Sequence, residues 1–195
     1  MRILPAETHK RMAWKNGGGE TIEVAVHPAE ADLSAFGWRV SMARVGGDGH
    51  FSVFEGVDRT ISLLEGEGIT LHIEGAGDHT MRTDSDPLRF PADAPTDAHL
   101  LGGSILDLNV MTRRGAFEHR VRRIRVGKAQ TIHPDARWTL VLSLGSIEVE
   151  DTDSGRHHLL AREALMLEAG DPAVSLSATL IQAAFLIEID ATGPA

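Results

Sequence analysis

Between Trp38 and Gly66 the chain reads WRVSMARVGGDGHFSVFEGVDRTISLLEG, and its side chains alternate in runs too short for anything but strands. In an extended backbone Trp38, Val40 and Met42 fall on one face, while Arg39, Ser41 and Ala43 fall on the other. Gly46, Gly47 and Gly49 around Asp48, and then Gly56-Val57-Asp58, supply the turns between three such runs. Arg39 and Arg59 are thereby carried into one sheet.

The same period recurs along the chain. Ile22, Val24 and Val26 alternate up to Pro28, and Ile69, Leu71 and Ile73 alternate with Thr70, His72 and Glu74. From Ile105 to Met111 one row holds Leu106, Leu108 and Val110, and the other holds Ile105, Asp107, Asn109 and Met111. A carboxylate and an amide on one apolar strand face need partners if that face is buried. Residues 29–36 are long enough for one or two helical turns, and the polar, proline-rich stretch 79–97 predicts loop with edge-strand pieces around Leu88-Arg89-Phe90. The triple glycine Gly17-Gly18-Gly19 lets the backbone pass close to a ligand or to another backbone segment.

The second half predicts short strands at 138–144, 147–150, 158–161, 164–168, 173–177 and 181–189. It also echoes the first. The turn glycines Gly66 and Gly145 lie 79 residues apart, Leu88-Arg89-Phe90 matches Leu165-Met166-Leu167 after 77, and Ile105 to Leu108 matches Phe185 to Glu188 after 80. The expected fold is therefore all-β, a bicupin of two cupin-like (jelly-roll) β-barrels packed together. Residues 1–118 form the first barrel, with the ligand pocket, and 119–195 the second, strands being free to exchange between them.

Composition narrows the functions. There is no cysteine, which excludes disulfides, thiolate metal sites and thiol nucleophiles. The net charge of −9 repels nucleic acid and anionic lipid. Six arginines between Arg113 and Arg125 oppose that field locally, but no aromatic platform is interleaved, so the run predicts a solvated strand and connector and no nucleic-acid partner. Without a leader-like apolar segment or a run of about 18 apolar residues, the expectation is a cytoplasmic protein with no membrane partner.

Ten histidines invite a metal hypothesis, yet His50, His72, His79 and His99 form no H-x-H or H-x-x-x-H pair, and the adjacent His157 and His158 point to opposite strand faces. Where a cupin metal block would fall, the chain has His50-Phe51-Ser52 and then Arg59; a guanidinium there attracts an anion, so no metal and no cofactor are expected. Ser41, Ser52 and Ser104 lack the surroundings of a hydrolytic triad. Asp107 beside Asn109 suits either a general base or a pair that orients an arginine or holds a ligand. Asn16, Arg39, Ser41, Ser52, Arg59, Asp107, Asn109 and Arg113 then read as a barrel-mouth pocket for a small carboxylate-bearing molecule.

Four blocks in order, WKNGGGET at Trp14 to Thr21, WRVSMA at Trp38 to Ala43, DGHFSVFEGVDR at Asp48 to Arg59 and DLNVMTRRG at Asp107 to Gly115, resemble the HutD family. His50 and Glu55 depart from it, standing where members often carry proline. The resemblance implies a bicupin without a metal centre, associated with histidine utilisation and thought to restrain that pathway by sensing an intermediate such as urocanate or formylglutamate. The expectation is a non-catalytic, metal-independent small-molecule-binding protein with a regulatory role, in which Arg39 and Arg59 clamp a carboxylate and Asn109 with Asp107 receive the ligand's polar end. The alternative is a metal-free isomerase or hydrolase with Asp107 as base. The partner is a small anionic metabolite, and a homodimer is compatible with the sequence.

Overall fold

The alternating runs become nineteen strands among the described residues, 1–151 and 155–193, of a computed structural model. In chain order they are β1 (Arg2–Leu4), β2 (Lys10–Ala13), β3 (Gly19–His27), β4 (Trp38–Val45), β5 (Gly49–His50), β6 (Val57–Glu65), β7 (Ile69–Ile73), β8 (Gly77–Met81), β9 (Leu88–Pro91) and β10 (Thr96–Leu100). There follow β11 (Ile105–Arg113), β12 (Phe117–Val126), β13 (Gln130–Ile132), β14 (Trp138–Ser143), β15 (Ile147–Asp151), β16 (Gly155–Leu159), β17 (Ala164–Glu168), β18 (Val174–Ser177) and β19 (Gln182–Ala191).

The chain divides into two units. Residues 10–118 build a six-stranded sheet in the order β2-β3-β4-β11-β6-β9 and a four-stranded sheet in the order β5-β10-β7-β8. The other unit joins residues 1–9 to those from 119 onward, with sheets ordered β1-β17-β14-β19-β12 and β13-β18-β15-β16. Eight strands later, the second unit repeats the pairing of the first: β4-β11-β6-β9 becomes β12-β19-β14-β17, and β5-β10-β7-β8 becomes β13-β18-β15-β16. Even the hairpin glycines correspond, since Gly77 and Gly155 open β8 and β16 with φ of 84° and 83°. All four sheets pair antiparallel wherever register is defined, and the fold is all-β and cupin-like.

Each unit buries the facing rows of its two sheets. In the first, Ala43, Val45, Ile61, Leu63 and Ile105 meet Ile69, Leu71, Ile73, Met81 and Ala98. In the second, Val141, Leu165, Leu167 and Leu186 meet Ile147, Val149, Leu159, Val174 and Leu176. Full burial of one such side chain stabilises by about 1.5–3 kcal/mol, so these rows set strand register. Further along the same inward row of the first unit, the apolar side chains give way to Arg39, Ser41, Arg59 and Asn109. That change of character leaves room for a site.

Several expectations change. Residues 2–4, placed by the sequence within 1–118 with strands free to exchange, pair with β17, and Ile3 packs on the second unit's core. Within 79–97 the structure places the expected edge strand as β9, and also most of β8 and the start of β10; those two read as loop because their exposed faces are polar. Residues 29–36 form turns without helix: the Asp32 carboxylate accepts from both Ser34 N and Ser34 Oγ, while Phe36 is buried. Strand β16 begins at Gly155, three residues ahead of the expected 158–161, and ends at Leu159. Of the arginine run, Arg120, Arg122, Arg123 and Arg125 lie on β12, the edge of its sheet, with Arg122 paired to Glu188 at 3.3 Å.

Candidate functional site

Strand register assembles the site. On β4, β11 and β6, Arg39 lies opposite Met111 and Met111 opposite Arg59; one step along, Ser41, Asn109 and Ile61 form the next row, and then Ala43, Asp107 and Leu63. Strands are spaced by about 4.8 Å, so the backbones carrying Arg39 and Arg59 stand roughly 10 Å apart, within reach of one small ligand. From these rows Arg39, Ser41, Ala43, Arg59, Asp107, Asn109 and Met111 wall a cavity of about 700 Å³ with Ala98 from the other sheet, and Trp14, Lys15, Asn16, Gly47 and Asp48 stand at its rim. Its size suits a metabolite.

Both arginines are held from behind. Arg39 Nε donates to Glu23 Oε2 at 2.7 Å, with 5% of the arginine side chain and 14% of the glutamate exposed. Arg59 Nη2 donates to the Ser52 carbonyl at 3.1 Å, and its guanidinium lies 5.3 Å from the Phe51 ring, 5.4 Å from Phe54 and 5.8 Å from Phe90. An aromatic cage replaces part of the lost hydration. Burial is the main reason that the Arg59 pKa falls to about 10; Asp107 opposes the fall and Arg39 adds to it. Arg59 is still a cation at neutral pH. Its buried Nε has no hydrogen-bond partner.

Asp107 sits opposite Ala43 and Leu63 and is 1% exposed. Its Oδ1 accepts from Asn109 Nδ2, whereas Oδ2 is buried without a hydrogen-bond partner. Burial raises its pKa to about 7, against the opposing effects of Arg59, the Asn109 hydrogen bond and the Ala43 backbone. Near neutrality the carboxyl is divided between its acid and its anion. Arg59 and Asp107 both line the cavity, and each keeps a buried polar atom, a donor on one and an acceptor on the other, without a hydrogen-bond partner.

The structure brings together Arg39, Ser41, Arg59, Asp107 and Asn109 on the wall, with Asn16 and Ser52 at the exposed rim. Asn16 Oδ1 is engaged locally by Gly18 N at 3.1 Å, and Ser52 serves Arg59 through its carbonyl. Arg113 does not line the cavity. It ends β11, donates to the carbonyls of Glu55 at 3.0 Å and Ser34 at 3.2 Å, and lies over the Phe36 ring. Its role there is to tie loops together. Sequence reasoning missed Glu23, Phe51, Phe54 and Phe90, although Phe51 and Phe54 lie in the block that contains Ser52 and Arg59.

The close approach made by the triple glycine is to backbone. A Cβ on Gly19 would stand 2.1 Å from the Arg44 carbonyl oxygen, and Gly46 N donates to Gly18 O at 2.8 Å. The outer histidines pair with carboxylates, His50 with Asp97, His72 with Asp78 and His99 with Asp48. His72 is raised above the usual imidazole range, by its hydrogen bond to Asp78 first. Among the described residues no three His, Asp or Glu side chains converge as metal ligands. The cavity itself offers one inner carboxylate against two guanidinium groups, a donor set that does not fit the metal of a metallocupin. No helix of the described residues is long and apolar enough to cross a membrane.

Comparison with known proteins agrees with this architecture. A cupin barrel protein from Leptotrichia buccalis superposes with a TM-score of 0.62 at 13% identity, over 93% of this chain and 96% of its own, a likeness of fold alone. HutD from Pseudomonas fluorescens superposes with a TM-score of 0.83 at 29% identity, over 98% and 99% of the two chains. A 21.2 kDa protein encoded in the 3′ region of hutC in Pseudomonas putida is 32% identical over 178 residues, 90% of this chain and 91% of that one. The HutD family model matches residues 6–186, a span that includes every wall residue of the cavity. On that match, with the four blocks that now line or border one cavity, the chain belongs to the HutD family.

Proposed function

We propose that the chain is a metal-independent binding protein for a small carboxylate metabolite and that, through this binding, it regulates histidine utilisation, the process to which its family is tied by the hut locus. The supporting observation is Arg59: a cation caged by three phenylalanines, with an unpaired Nε, facing the same cavity as Arg39. A guanidinium so placed holds one carboxylate oxygen through a charge-assisted hydrogen bond worth about 1.5–3 kcal/mol. Arg39, already oriented by Glu23, adds a second positive group, and Ser41 with Asn109 meets the remaining polar atoms. Urocanate and formylglutamate have this chemistry, each being a small anion with a further polar end.

Calorimetric titration of both compounds tests the reading. Binding by the wild-type protein and an affinity lowered about 10- to 150-fold in Arg59→Met are expected, from the loss of that bond. No binding of either compound at millimolar concentration, or equal affinity in the variant, overturns it. A second reading, a metal-free isomerase or hydrolase, is favoured by one observation: a carboxyl with a pKa of about 7 inside a cavity is suited to general-base work. Turnover of either compound that Asp107→Asn abolishes while binding persists would establish that reading; unchanged substrate after long incubation dismisses it.

A further inference from the structure

We infer that Asp107 meets the bound carboxylate as a neutral carboxylic acid, so that the cavity takes up a proton with the anion wherever Asp107 starts out ionised and gives up that anion as the pH rises. The inference rests on the reading that the cavity binds a carboxylate. It starts from the two unpaired atoms, Arg59 Nε–H and Asp107 Oδ2. A ligand carboxylate has acceptors only, so one of its oxygens satisfies Arg59 while the other requires a donor. An ionised Asp107 Oδ2 repels that oxygen; a protonated one donates to it. No bond to carbon changes: a proton from solvent joins Asp107 Oδ2 and is shared with the ligand oxygen.

Charge balance leads to the same end. Asn109 on its own strand and Arg59 on β6 act directly on Asp107; Arg39 on β4 lines the same cavity with Glu23 on β3 behind it, and the opposite sheet adds the apolar Ala98. Lys15, Asp48 and His50 lie at the exposed rim, where solvent screens them, and Asp48 and His50 are already paired with His99 and Asp97. Glu23 offsets Arg39. With Asp107 ionised, Arg59 is offset too, and an incoming carboxylate leaves an uncompensated negative charge in a buried space. With Asp107 neutral, the cavity carries one positive charge, which a single carboxylate cancels. The raised pKa of Asp107, about 7, keeps the proton available near neutrality.

Formate and N-formylglutamate are the probes, titrated calorimetrically into the full chain at pH 6, 7 and 8 in buffers of different ionisation enthalpy. Linkage to a group titrating near 7 gives proton uptake of about 0.1, 0.5 and 0.9 per ligand at those three values, with affinity falling about tenfold per pH unit above 7. Asp107→Asn, whose amide N–H supplies a donor without a titration, loses the uptake and the tenfold slope. Binding without uptake at pH 8, or unaltered uptake in Asp107→Asn, overturns the inference and leaves the binding reading intact. If the variant does not fold, the wild-type uptake profile decides alone, since uptake that is flat across the three pH values is equally fatal. Absence of heat with both probes at every pH overturns the binding reading and the inference together.

Discussion

Replacing Asp107 by asparagine removes a buried charge and keeps the side chain's shape, so its effect on stability is set by the proton that the wild-type carboxyl holds. In the unfolded chain this group has its ordinary value of 3.8, and in the folded protein burial raises it to about 7. Between those values the folded protein binds more protons than the unfolded chain, so the stability it derives from Asp107 is complete below about pH 4 and lost as the pH rises through about 7. About three pH units at 1.36 kcal/mol each amount to about 4 kcal/mol. Asparagine does not titrate and escapes that loss. Asp107→Asn is therefore expected to exceed the wild type by about 1 kcal/mol at pH 4.5 and by about 4 kcal/mol at pH 8, the latter an increase of about 2 M in urea midpoint at a slope of about 2 kcal/mol/M. Urea denaturation is followed by tryptophan fluorescence, to which Trp14 and Trp38 of residues 10–118 contribute beside Trp138 of the other unit. A difference between the two proteins that is the same at pH 4.5 and pH 8, or a variant less stable at pH 8, would refute the reasoning, because burial would then not be the source of the shift.

Three further substitutions separate structural from binding roles. Gly19→Ala drives a methyl group against the Arg44 carbonyl and is expected to lower stability by about 1–3 kcal/mol, seen as a fall of roughly 2–12 °C in melting temperature. Arg113→Ala releases the Glu55 and Ser34 carbonyls and should lower stability by about 1–3 kcal/mol while calorimetric affinity for a carboxylate stays within about twofold. Phe54→Ala opens one side of the Arg59 cage; the lost cation–π contact, about 0.5–2 kcal/mol, is expected to appear as a several-fold weaker carboxylate affinity in the same titration.

The inward row of the site was legible because β11 lies between β4 and β6, where every second residue must face the interior: Asp107 and Asn109 declared themselves by parity, as did Arg39 and Ser41. Parity also explains why Arg113 was grouped with them although it does not line the cavity. It shares the phase of Asp107, Asn109 and Met111, but it is the last residue of its strand, and alternation carries no information about where a cavity stops. Glu23 was hidden for a different reason. Its place beside Arg39 depends on a register shift between Glu23 and Ala25, where β3 slips against β4, and no local pattern encodes such a slip. Strands β8 and β10 escaped notice because each is mostly polar; in β10 the one residue in the apolar core is the small Ala98, too weak a periodic signal beside three prolines. The pairing of residues 2–4 with β17 bridges more than 160 residues, a distance over which only the folded topology speaks. By contrast, the recurrence of anchors at 77 to 80 residues foretold the repeated strand order correctly, since turn glycines and strand cores recur wherever the same sheet is built twice.

The central claim is that a carboxylate occupies the cavity of the first unit against Arg59. A crystal structure of the protein grown with formylglutamate tests it most directly. The account predicts a carboxylate oxygen within hydrogen-bond distance of Arg59 Nε, with Asp107 Oδ2 on the neighbouring oxygen. A ligand bound outside the wall formed by β4, β11 and β6, or a cavity in which Arg59 turns away from the ligand, would contradict it.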